Sequence, residues 1–164
     1  MTVTLGEVGR VIDMLEHDKK WLQTKADEVA RRLAERGVTL ARMYFDGAQY
    51  DGIKDVSVDF ERRGDTQYAV VAVGDTALIL EFGSGVLLGY GHPEAAVNGM
   101  GPGTYPDGKG HWNDPNGWYL PKEVQTVVGR QKSYGNAPAG AMYGASKELK
   151  MILQQVVWEV FANG

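Results

Sequence analysis

Two histidines and three carboxylates fall within one stretch of the chain: His92, Glu94, Asp107, His111 and Asp114. Imidazole with carboxylate is a donor set that zinc or iron accepts. The spacing does not complete a metal motif, because no His-Glu-x-x-His occurs and the two histidines lie on separate segments. These side chains are expected to hydrogen-bond the loop's own backbone or a neighbour, with no metal. The chain has no cysteine, which excludes thiol nucleophiles, thiolate zinc sites and disulfides. Ser84, in Glu81-Phe82-Gly83-Ser84-Gly85, superficially resembles a nucleophile elbow, but Phe82 stands where that pattern needs glycine. Gly83-x-Gly85 and Gly99-x-Gly101-x-Gly103 lack the strand–glycine–helix setting and the Gly-Lys-Ser/Thr of a phosphate cradle. No catalytic residue and no cofactor is expected.

Trp112, Trp118 and Tyr119 sit in the same glycine-rich stretch. They would suit a sugar-stacking platform or anchors in a protein interface, where Trp and Tyr are enriched; the interface is the preferred reading.

The elements that must position these residues follow from hydrophobic period. Val8, Leu15, Leu22 and Val29 recur every seven residues, with Val11, Ile12, Ala26 and Leu33 on the same face and Lys19 interrupting it. That predicts a helix over 4–36, opened by a Thr4–Glu7 capping box and stopped at Gly37. Its heptad spacing would suit a coiled coil, but packing on the chain's own sheet is preferred, with a projecting end free to touch another subunit. Alternation then takes over: Leu40–Phe45, Val56 to Phe60, Gln67–Val73 and Ala77–Phe82 read as four strands over 39–82. Their short connections leave no room for crossover helices, so they should form an antiparallel meander. Arg63-Gly64-Asp65 is read as a hairpin turn, not an adhesion signal. Residues 83–136 are rich in glycine and proline and read as one long loop or arm, with at most a short element near Val124–Val128. The loop's aromatics mark it as a segment that orders, on itself or on a partner. A second amphipathic helix, 138–162, starts at Pro138 and carries Met142, Ala145, Leu149, Ile152, Leu153, Val156 and Val160. The expected fold is a single α+β domain, 1–164: a four-stranded meander with both helices on one face and a long Gly-rich loop.

Bulk properties bound the function. The 164 residues carry a net charge of −4, with 17 basic against 21 acidic residues, so nothing signals nucleic acid. There is neither a secretory signal nor an apolar run that would span a membrane, and no small-molecule substrate is implied.

Ile79-Leu80-Glu81-Phe82-Gly83-Ser84-Gly85-Val86 followed by Gly91-His92-Pro93-Glu94 resembles a family of small siphophage proteins, the head–tail joining or tail-completion (minor tail component) proteins. Lys109-Gly110-His111-Trp112 and the Asn136-Ala137-Pro138-Ala139 step into the last helix extend the resemblance. The segment 118–135 is longer than the family's usual connection. The resemblance implies a non-catalytic virion subunit of the neck or tail that assembles as a ring with itself and other phage proteins, made in the host cytoplasm. On that reading Glu81, Phe82, Gly83, Gly85, His92, Trp112, Trp118 and Tyr119 are interface residues. The other readings are a phage-encoded hydrolase or carbohydrate-binding module using the aromatic loop, or a regulatory protein that binds a host factor.

Overall fold

The computed structural model describes residues 5–50, 52–103, 113–119 and 132–162. Its organising element is α1, Leu5–Asp46, a single 42-residue helix that runs about 63 Å at 1.5 Å per residue. A hairpin, β1 (Ser57–Gly64) and β2 (Gln67–Val73), lies against it. A short helix α2 (Ala77–Phe82), a 3-10 turn at Ala96–Asn98 and a two-residue strand pair, β3 (Trp118–Tyr119) with β4 (Lys132–Ser133), follow. The closing helix α3 is Ala141–Ala162.

The expected four-stranded meander with both helices on one face is therefore corrected. Among the described residues the strands form two separate antiparallel pairs, β1–β2 and β3–β4. Leu40–Phe45 is the end of α1, because Val38, Ala41 and Phe45, at helical spacing, are the residues that are buried. Gly37 does not stop the helix. A Cβ there would lie 2.9 Å from Val70 Cγ2 and 3.0 Å from Leu149 Cδ1, so glycine marks where β2 and α3 approach α1 most closely. The helix tolerates its propensity cost of about 1 kcal/mol there. Ala77–Phe82 is helical because its first turn is held from outside: Asp55 Oδ2 accepts from the amides of Asp75 (2.7 Å) and Thr76 (3.2 Å), and the Thr76 hydroxyl donates to Asp55 Oδ1. The capping-box Thr4 and the Val124–Val128 element lie outside the described residues.

A two-stranded hairpin alone is marginal in water; α1 supplies what it lacks. Val58 is buried against α1, with Phe60, Val70 and Ala72 packed around the core. Arg42 donates from Nε (3.0 Å) and Nη2 (2.6 Å) to the Val58 carbonyl, and Asp27 accepts from Tyr68 Oη at 3.0 Å and from Arg62 at 3.1 Å. The Arg-Gly-Asp triplet sits at the hairpin turn, where Gly64 pairs with Gln67.

α3 runs antiparallel to α1. Tyr44 donates to Glu148, Leu149 meets Gly37, Arg36 pairs with Glu159 at 2.6 Å, and Lys25 Nζ caps the Val160 carbonyl at 3.0 Å. Trp21 and Phe161 meet edge to face at 5.6 Å. That contact marks the end of α3, so α1 from Leu5 to Lys20 projects beyond it for about 24 Å. No described helix is long and apolar enough to cross a membrane.

Candidate functional site

The Glu81-Phe82-Gly83-Ser84-Gly85 segment ties α2 to the start of α3. α3 begins at Ala141, after Gly140 in the left-handed region (φ 57°), three residues later than Pro138. The first amides of any helix lack internal partners. Here a carboxylate from another element supplies them: Glu81 Oε2 accepts from the Met142 amide at 2.8 Å and Oε1 from the Tyr143 amide at 3.0 Å. This is the N-cap function, with negative charge at the positive end of the helix dipole.

His92 completes the node. Its Nε2 lies 3.1 Å from Glu81 Oε1, and its Nδ1 accepts from the Glu94 amide at 3.1 Å. An Nδ1 that accepts leaves Nε2 to donate to Glu81. The ring stands edge-on to Phe82 at 4.6 Å and to Tyr143 at 5.4 Å, and its side chain is 2% exposed. Phe82 is buried with Ala95 and Met100.

Gly83 makes the turn out of α2. Its φ of 78° with ψ 172° belongs to glycine alone, and a Cβ would lie 2.8 Å from the Pro138 nitrogen. The next residue, Ser84, exchanges both backbone hydrogen bonds with Asn136 (2.9 and 3.2 Å), and its hydroxyl donates to Asn136 Oδ1 at 2.7 Å. Asn136 Nδ2 donates to the Ile79 carbonyl at 3.1 Å. Ala139 N donates to the Leu80 carbonyl at 2.7 Å and Gly140 N to that of Glu81 at 3.1 Å. The Ser84 hydroxyl and the backbone of Leu80, Glu81 and Ser84 are thus engaged in holding 136–140 against α2. Ser84 has an amide oxygen as its partner, where a nucleophile would need a base.

Gly85 lies under Trp118, whose Cη2 would be 3.2 Å from a Cβ there. Trp118 is half-buried on the main core, while Tyr119, the next residue of β3, is exposed. Trp112, the remaining proposed anchor, lies outside the described residues, as do Asp107 and His111. Among the described residues no three His, Cys, Asp or Glu side chains converge as a metal site. The structure therefore brings Glu81, Phe82, Gly83 and His92 into one buried node and sets Gly85 and Trp118 beside it. The partners of Glu81 could not be read from sequence, since Met142 and Tyr143 lie far along the chain from it and no local pattern connects them.

The exposed surface carries a different feature. Val8, Val11, Ile12, Leu15 and Leu22 are all solvent-facing on α1, and Met151 and Trp158 are exposed on α3. Two tyrosines have perturbed acidity. Tyr44 is raised above its ordinary value chiefly by its hydrogen bond to Glu148, and Tyr68 chiefly by desolvation, with its bond to Asp27 adding to it. The sequence matches no protein-family model, no curated protein and no solved structure.

Proposed function

We propose that the chain is a non-catalytic structural subunit of a tailed bacteriophage particle, placed in the head–tail neck or tail-completion region and acting by assembly with itself and with other virion proteins. The observation that carries the assembly reading is the exposed apolar face of the projecting part of α1, Val8 to Leu15, which has no partner within the described chain. A helix is stabilised chiefly by burying such a face. The phage setting rests on the sequence resemblance through Glu81-Phe82-Gly83-Ser84-Gly85 and Gly91-His92-Pro93-Glu94. The internal engagement of Glu81, Ser84 and His92 fits a subunit whose polar residues define shape. On this reading their contribution to an interface is indirect: they fix the start of α3 and the path of the glycine-rich segment after Gly85.

Particle composition tests the proposal. Purified particles of the source phage should contain the chain at a fixed stoichiometry by quantitative mass spectrometry, and deleting its gene should leave heads and tails that fail to join or finish. Infectious particles without the chain would reject it.

A further inference from the structure

At 3.6 residues per turn, Val8, Val11, Ile12 and Leu15 fall within an arc of about 100° on the projecting part of α1, and Leu22, just beyond that part, continues the same face. All five are exposed, Leu15 by 62%. Lys19 falls in the same arc, where its aliphatic stem can lie along apolar surface with the amine reaching water. Asp18 flanks the arc on one side and Glu16 on the other.

Farther along, the same face of α1 reaches an apolar groove of about 300 Å³ between α1, β2 and α3, lined among others by Leu33, Gly37, Val70, Met142, Leu149 and Leu153. Lys150 lines it on the α3 side, and Arg63, paired with Glu61, lines an adjoining depression that shares Leu33, Val70 and Leu149 with it. The chain thus carries an apolar ridge with acidic flanks and an open apolar groove with Lys150 on its rim and Arg63 in the adjoining depression. Because α1 is one unbroken helix, the ridge cannot bend back into its own groove.

We propose that the α1 arm of one copy seats in the α1–β2–α3 groove of a second copy, with Val11 and Leu15 facing Leu149 and Leu153, and with Glu16 and Asp18 near Arg63 and Lys150. The inference deepens the assembly reading and rests on it for its place in a particle. Ridge and groove lie at different places on one molecule, so the contact is head-to-tail and builds rings or filaments.

The test uses the whole chain, with two variants at exposed positions chosen to spare the fold: Leu15→Asp on the ridge and Leu153→Glu at the groove. Unchanged thermal melts confirm that each is folded. In sedimentation velocity the wild type should associate, and each variant alone should associate tenfold to a hundredfold more weakly, the loss expected for one buried leucine. Mixing the two should restore a single contact, the Leu153→Glu arm in the Leu15→Asp groove, and give a dimer that grows no further. The chain has no cysteine, so Val11→Cys and Leu153→Cys chains should form a mixed disulfide under mild oxidation. If Leu153→Glu assembles like the wild type while Leu15→Asp does not, the arms pair with each other and the proposal is overturned. A wild type that stays monomeric into the high micromolar range also overturns it. The phage reading would then stand or fall separately, on whether purified particles contain the chain.

Discussion

Replacing Glu81 with Ala removes the acceptor for three donors at once: the Met142 and Tyr143 amides and His92 Nε2. Loss of a helix N-cap costs about 1–2 kcal/mol. Leaving a buried N–H without a partner adds about 1–3 kcal/mol, and the His92 side chain, 2% exposed, has little access to compensating water. The expected destabilisation is about 2–5 kcal/mol, a large share of the 5–15 kcal/mol typical of a domain. Glu81→Gln keeps one carbonyl oxygen but turns an NH2 toward a donor, and should cost roughly half as much. Urea unfolding followed by circular dichroism gives both values. Native-state hydrogen exchange gives the location: the Met142 and Tyr143 amides should exchange faster in Glu81→Ala while those of central α1 stay protected. A loss for Glu81→Ala below about 1 kcal/mol, or unchanged exchange at those amides, would refute the role assigned to this carboxylate.

Gly83→Ala forces a Cβ into a φ/ψ region reserved for glycine and 2.8 Å from the Pro138 nitrogen; it should cost at least about 2 kcal/mol in the same urea assay. At Gly37, Ala gains helix propensity of about 1 kcal/mol but crowds Val70 and Leu149, so its net effect should be near zero, whereas Gly37→Leu should lose about 1–3 kcal/mol by overpacking. For Tyr44 the hydrogen bond to Glu148 raises the pKa above its ordinary 10.0, so the folded chain keeps a proton that the unfolded chain releases. The associated stability is fully present below pH 10 and is lost as pH rises through the raised value. Unfolding measured across alkaline pH should show that fall, and Tyr44→Phe should lessen it, with Tyr68 contributing in the same direction.

Much of the frame was legible because it is local. The apolar stripe of α1, the alternation of β1 and β2 with their Gly64-Asp65 turn, and the stripe of α3 each declare their period within a dozen residues. The errors lie where tertiary contacts decide. Gly37 has the credentials of a helix stop, yet it is there so that β2 and α3 can come close. Leu40 to Phe45 fits both periods, and burial of Val38, Ala41 and Phe45 by the hairpin and α3 selects the helix. Ala77–Phe82 is a short apolar run of a kind that periodicity cannot assign, and Asp55 at its start makes it helical. Within the candidate site, the Glu81–Gly85 motif stood out by composition. Its partners, Asn136, Pro138, Met142 and Tyr143, are remote in sequence and supplied by the fold.

Sedimentation equilibrium of the whole chain over a broad concentration range tests self-assembly through the α1 arm most directly. The wild type should shift from monomer to a defined oligomer as concentration rises, with Leu15→Asp remaining monomeric and equally stable. A wild type and a Leu15→Asp variant with the same monomeric mass at every concentration would contradict it.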